Sequence, residues 1–298
     1  MKSSIFHGLS AFPITPCDDN GRIDENGLSN ILGRLANARV DSIGLLGSTG
    51  TYMYLDRAAR QRAIEIARQS VGTEVPLIVG VGALRTNESE QFAKDAEQAG
   101  ASGLLLAPVS YTPLNSEEVF QHYVSVAGAT RLPLCIYNNP TTTHFTFDVA
   151  LIERLSKIDN IVAIKYPGAP ASEMPSVIKP LRDAVSADFS VGFSGDWNAA
   201  NALMAGGDAW YSVAGGLLPV PCLELTHAAK AGNHSEVKRV DELLQPLWAL
   251  FQELTSIRVM YAAADILGLT HSNPPRPILP IAKSEHQRIA RALEGLSA

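Results

Sequence analysis

Only three cysteines occur in the 298 residues: Cys17, Cys135 and Cys222. They are odd in number, far apart and without CxxC spacing, which argues against a disulfide framework or a thiolate zinc site and fits free thiols in a reducing compartment. Cys135 lies mid-run in LCIY and reads as buried packing, not as a nucleophile. Basic charge is also scarce, since 24 Lys and Arg face 30 Asp and Glu for a formal net charge of -6. Nucleic acid and anionic membrane surfaces both need a clustered basic face, so neither is an expected partner; small molecules are. No stretch approaches the roughly 18 unbroken apolar residues of a membrane span. The opening MKSSIFHGLSAFPIT also lacks the long apolar run of a secretory signal, so the expected location is cytoplasmic. No GxGxxG or GxxxxGKS/T phosphate loop follows the first apolar run, and none of the seven histidines pairs with another at HExxH-like spacing. Neither a cofactor nor a metal ion is expected.

What is present is a rhythm. Apolar runs bounded by Gly, Pro or Asn recur at GLSAFPIT (8–15), SIGLLGS (42–48), VPLIVGVGA (75–83), SGLLLAPV (102–109), PLCIYNN (133–139), IVAIKYP (161–167), FSVGFSGD (189–196) and AWYSVAG (209–215). Between them lie segments with a 3.6-residue apolar period, among them DENGLSNILGRLANA and RAARQRAIEIARQSV. Asn87 before Glu88 and Glu90, and Ser116 before Glu117 and Glu118, read as helix caps. Near-continuous apolar strands alternating with amphipathic helices imply a parallel sheet covered on both faces. Eight such units close into a (β/α)8 TIM barrel over residues 1–218. From Pro219 to residue 298 the chain reads as helix after helix, including SEVKRVDELLQPLWALFQELTSIRVMYAAADILG as one continuous run. This is a C-terminal helical extension packed on the barrel as one structural unit, because no Gly/Ser or charged linker divides it off. A doubly wound open sheet is the alternative, weakened by the missing phosphate loop.

IVAIKYP places a lysine in an otherwise greasy strand. Side chains alternate along a strand, so Ile161, Ala163 and Lys165 share one face. If that face is the lumen, Lys165 stands at the C-terminal mouth where active sites of this fold lie, and burial there favours a neutral amine able to form a Schiff base with a carbonyl. With the opposite parity Lys165 is a solvated strand end. Tyr137 ends the preceding strand and would stand beside Lys165, or else serve as amphipathic packing. Gly47, Ser48, Thr49 and Gly50 form a turn whose amides and hydroxyls suit a carboxylate, although such turns are common. Tyr111 in PVSYTPLNSEEV is a further aromatic in a loop, and His144 in NNPTTTHF a loop histidine just beyond the fifth strand.

GSTG after the second strand, YNNP at the fifth and IK at the sixth, together with AFPITP, VGVGA and SGD, resemble the dihydrodipicolinate synthase/N-acetylneuraminate lyase family of class I aldolases over nearly the whole chain. The resemblance implies a homotetramer, a dimer of dimers, in which Lys165 forms an imine with pyruvate or another 2-oxo acid and Tyr137 is the proton-transfer phenol. It also implies that Ser48 is a relay hydroxyl, that Thr49 and the adjacent Gly50 amide bind the 2-oxo carboxylate, and that Tyr111 completes the relay across a subunit interface.

Two departures shape the expected substrate. Thr142 stands where dihydrodipicolinate synthases carry an arginine, and a threonine offers neither charge nor a bidentate fork. Thr51 replaces the glutamate usual after the turn. The expected activity is therefore a lyase for a 2-keto-3-deoxy sugar acid, aldolase or dehydratase, with Thr142 and His144 in an uncharged, hydroxyl-rich pocket wall. Dihydrodipicolinate synthase itself is the alternative, and a catalytically silent barrel that binds a 2-oxo acid is the alternative of another class.

Overall fold

All eight apolar runs are strands in the computed structural model, which describes residues 5–296. They are β1 (Gly8–Ala11), β2 (Ser42–Leu45), β3 (Leu77–Gly80), β4 (Gly103–Leu106), β5 (Leu134–Tyr137), β6 (Ile161–Pro167), β7 (Ser190–Ser194) and β8 (Ala209–Ser212). Each pairs in parallel with the next, and β8 returns to β1 to close the barrel. Closure leaves no edge strand, and both faces of every strand are covered, which explains runs too apolar to alternate.

The outer ring consists of α1 (Glu25–Ala38), α2 (Arg57–Val71), α3 (Thr86–Gln98), α4 (Ser116–Gly128), the single turn α5 (Pro140–Thr143) with α6 (Val149–Leu155), α7 (Met174–Ala184), α8 (Ala199–Met204) and α9 (Pro219–Lys230). Beyond them come α10 (His234–Leu254), α11 (Ser256–Ile266) and α12 (Lys283–Leu293). The helical stretch that opens at Pro219 thus begins with α9, which packs on β1 and α1 and closes the ring. Two hydrogen bonds tie the chain beyond α10 to the start of the barrel. Tyr261 Oη donates to Thr15 O at 3.2 Å, and Thr270 Oγ1 donates to Asp24 Oδ2, the cap of α1, at 2.6 Å. None of the helices among the described residues is long and apolar enough to cross a membrane.

Three local readings change. The cap of α4 is Asn115, one residue before Ser116: its side chain accepts from Glu118 N while the Glu118 carboxylate accepts from Asn115 N, a reciprocal capping box. In α3 the helix begins at Thr86, so Asn87 lies inside it and no side chain caps the end at Arg85. The long run through ALFQELTSIRV breaks at Thr255, which adopts φ 67 and ψ 134 and separates α10 from α11. No glycine or proline marks that break, so its residues carry no signal for it. In the structure, Arg258 donates to Thr255 Oγ1 at 2.7 Å.

Packing divides into two buried regions. One fills the space between strands and helices; the other, inside the barrel, contains Phe12, Ile78, Leu105, Cys135, Ala163 and Tyr211. The lower end of the lumen is stopped by Ile5 and Phe6, which lie so close to Gly103 that a Cβ there would stand 2.5 Å from Ile5 Cδ1. Ser190 Oγ donates to Phe6 O and pins this plug to β7.

Between α3 and α4 sits a polar pair of a different kind. His122 is buried, with Nδ1 3.0 Å from Thr86 Oγ1, while its Nε2 has no hydrogen-bond partner among the described residues. Burial pulls this imidazole from the ordinary 6.5 down to about 4. The unfolded chain therefore takes up a proton first as the pH falls, so the folded state loses stability between about pH 6.5 and pH 4 and keeps it at neutral pH. The advantage of wild type over His122→Gln in urea unfolding should shrink by about 2–3 kcal/mol from pH 7 to pH 4.5. A gap that stays constant over that range would show that His122 does not carry the effect.

Candidate active site

Strand β6 is the longest of the eight, and Lys165 is its fifth residue. Its register partner on β5 is Tyr137 and on β7 is Gly192, so phenol and amine project side by side next to a position without a side chain. The parity is the lumen-facing one: Ala163 and Tyr137 belong to the lumen cluster, and Lys165 is only 4% exposed. Its Nζ lies 3.9 Å from the centre of the Phe12 ring, 4.3 Å from that of Tyr137 and 5.7 Å from that of Tyr211. Among the described residues no carboxylate pairs with it. Ring faces attract an ammonium by their quadrupole, by about 2 kcal/mol when desolvated, and so can position the nitrogen without a counter-charge.

The GSTG turn follows β2 and is built tightly. Leu46 and Thr51 both adopt positive φ, 57 and 54. A Cβ on Gly80 would sit 1.9 Å from Leu46 O, so only glycine at the end of β3 lets the turn come down onto the barrel. Ser48 is thereby placed with Oγ 3.2 Å from the Tyr137 oxygen, and Thr49 beside it is buried. Lys165, Tyr137 and Ser48 are brought together at the mouth of the barrel. Tyr111 is not joined to them within one chain: it lies in the loop after β4 and is 96% exposed. Thr142 is exposed on α5 and gives its hydroxyl to Asn139 O at 3.3 Å. His144, also exposed, ends α5 in a left-handed conformation at φ 54.

Three residues that the sequence reading passed over belong to the site. Phe12 and Tyr211 furnish two of the ring faces around Lys165, and Asn139 donates its side-chain amide to the Tyr137 oxygen at 2.9 Å. The signal for Phe12 was available in the alternation of GLSAFPIT, which puts Gly8, Ser10 and Phe12 on one face. The glycines opposite record the same fact. A Cβ on Gly44 would lie 2.2 Å from Phe12 Cζ, and one on Gly192 2.5 Å from Tyr211 Cε2. Cys135 lies in the same lumen with its thiol pushed up to about 12 by burial, which fits packing and not nucleophilic attack.

A buried lysine on the sixth strand in register with a tyrosine on the fifth, under a Gly-Ser-Thr-Gly turn, is the arrangement to compare with known proteins. The profile of the Dihydrodipicolinate synthetase family matches residues 5–296. The chain belongs to this family. Among its members, 4-hydroxy-tetrahydrodipicolinate synthases from Methanosarcina barkeri and Methanospirillum hungatei are 30% and 31% identical over 98% of this chain and 99% of their own. Among solved structures, a dihydrodipicolinate synthase from Agrobacterium tumefaciens is 58% identical, covers 99% of both chains and superposes with a TM-score of 0.96. Another from Thermotoga maritima is 25% identical over 97% of this chain and 98% of its own, with a TM-score of 0.89. The expected family and barrel are thus both found, and the protein is a lyase of the Schiff-base aldolase kind.

In this member the ring over the lysine is held by an absence. Phe12 reaches Lys165 because Gly44 and Gly47 have no side chain to exclude it. Gly44→Ala should therefore overpack the lumen and cost about 1–3 kcal/mol in urea unfolding. Adding Phe12→Leu, which lacks the ring tip that the new methyl would strike, should recover part of that loss in a double-mutant cycle. Strictly additive losses would show that the two positions do not share the space.

Proposed function

We propose that the protein activates pyruvate as an imine on Lys165 and joins it to an aldehyde. The single observation that supports this most is the buried Lys165 amine in register with Tyr137, a nucleophile and a proton carrier fixed side by side. The amine attacks C2 of the 2-oxo acid, water leaves, and the protonated imine becomes an electron sink. Loss of a proton from C3 sends its electron pair into a C2–C3 double bond and gives an enamine. The enamine carbon then adds to the aldehyde carbon, whose oxygen takes up a proton. Hydrolysis, or transfer of C2 to an amine of the second substrate, frees the lysine.

In this reading Thr49 and the Gly50 amide receive the carboxylate of the 2-oxo acid, and Ser48 carries protons to and from Tyr137. Tyr111, exposed in one chain, supports an assembly in which a second copy brings its phenol to Ser48; a homotetramer built as a dimer of dimers provides such a contact. A cytoplasmic setting fits the three unpaired cysteines.

For the second substrate, the comparisons support the 4-hydroxy-tetrahydrodipicolinate synthase reading better than the sugar-acid reading that the sequence favoured, since the curated relatives of near-equal length bear that name. Aspartate semialdehyde is then the aldehyde. A second reading, a 2-keto-3-deoxy sugar acid, rests on one observation: Thr142 has no charge to offer an amino-acid carboxylate. Thr142 and His144 are the residues proposed to meet this substrate.

Incubation with pyruvate and borohydride should add a covalent mass to Lys165, absent in Lys165→Ala. Tyr137→Phe should lower turnover by roughly 10²–10⁴-fold. Turnover of pyruvate with aspartate semialdehyde, set beside cleavage of a 2-keto-3-deoxy sugar acid, decides the partner. A sugar acid used more than tenfold better would move the assignment to the second reading, and labelling of no lysine by any 2-oxo acid would remove the imine mechanism.

A further inference from the structure

We infer that Asn139, held by Thr141, gives the proton relay its direction. The Ser48–Tyr137 contact of 3.2 Å does not by itself say which oxygen donates. The neighbouring bonds narrow the choice by fixing the Asn139 amide. Thr141 Oγ1 lies 2.7 Å from Asn139 Oδ1, and a threonine hydroxyl that donates there fixes the carbonyl end of the amide outward. The amino end then faces the phenol and donates to its oxygen at 2.9 Å. The Asn139 main chain is pinned as well, because its carbonyl accepts from Thr142 N, Thr143 N and Thr143 Oγ1, each at 3.0 Å.

A phenol oxygen has one hydrogen and two lone pairs. With Asn139 on one lone pair and the other reserved for the substrate proton, the hydrogen is the group left to face Ser48. This deepens the imine reading and rests on it. As the C3–H bond of the imine breaks, its electrons form the C2–C3 double bond and its proton goes to the Tyr137 oxygen. The former phenol proton passes to Ser48 Oγ, which releases its own to solvent water at the mouth, and return of a solvent deuteron along the same route to C3 completes the exchange. Asn139 and Thr141 are positioning residues, since they act through the phenol.

The test uses the full-length chain with pyruvate as the probe and two readouts: borohydride trapping on Lys165, and exchange of the pyruvate C3 hydrogens with deuterium oxide followed by NMR. Asn139→Asp is the informative variant because a carboxylate can accept from a phenol but cannot donate to it. Asn139→Asp and Thr141→Val should trap pyruvate as wild type does yet exchange roughly ten- to a hundredfold more slowly. Thr141→Ser, which keeps the hydroxyl, should restore exchange. Thr141 is exposed, so its variants separate loss of the relay from loss of the fold. Exchange at the wild-type rate in Asn139→Asp, with trapping intact, overturns the assignment of Asn139 alone. Failure of wild type to trap pyruvate overturns the imine reading, and this inference with it.

Discussion

An amine enclosed among aromatic rings, with no carboxylate partner among the described residues, is the constraint on which the rest of the site depends. Lys165 can stay 4% exposed only if the lumen around it is closed and filled. Closure comes from eight parallel strands without an edge; filling comes from Phe12, Tyr137 and Tyr211, large rings admitted by glycines at 44, 47 and 192. A glutamate in this place would hold the lysine as an ion pair, whereas ring faces position the nitrogen without a counter-charge.

The proposed site draws on two kinds of support, the sheet and the segments that follow its strands. Lys165 and Tyr137 are on strands paired residue to residue, so their separation is set by the sheet. Ser48 belongs to a turn held by glycine contacts and two left-handed residues, and Asn139 to the start of a four-residue helix. Thr51 and Thr142, where the sequence departs from the expected family pattern, both lie on connecting segments after strands β2 and β5. In the proposed reading, that separation puts the imine chemistry on the sheet and the choice of second substrate on the loops.

Much of this was legible in the residues. Eight apolar runs announced eight strands, and the alternation in IVAIKYP gave Lys165 its face once the barrel was assumed. Adjacent strands then predicted that Tyr137 would stand beside it. What was not legible lacks a local signature. Thr255 breaks a helix without glycine or proline, and Asn115 caps α4 where Ser116 looked as good. Asn139 was hidden because its role depends on a side-chain bond to Thr141, which no periodicity or propensity reports. Phe12 was missed for a different reason: its partner is the empty space at Gly44, and an absent side chain is easily overlooked as a mere turn or strand breaker.

The plug of Ile5 and Phe6 makes the first described residues part of the barrel's waterproofing. The lumen has two ends, and only the upper one needs to admit a substrate. With Ser190 anchoring Phe6 from β7, the lower end is closed by packing, so in the proposed reaction an electron-rich enamine above would meet water from the upper end only. A purification handle grafted directly onto this segment, or a trimmed start site, would act on the dryness of the reaction chamber from the side opposite to the chemistry.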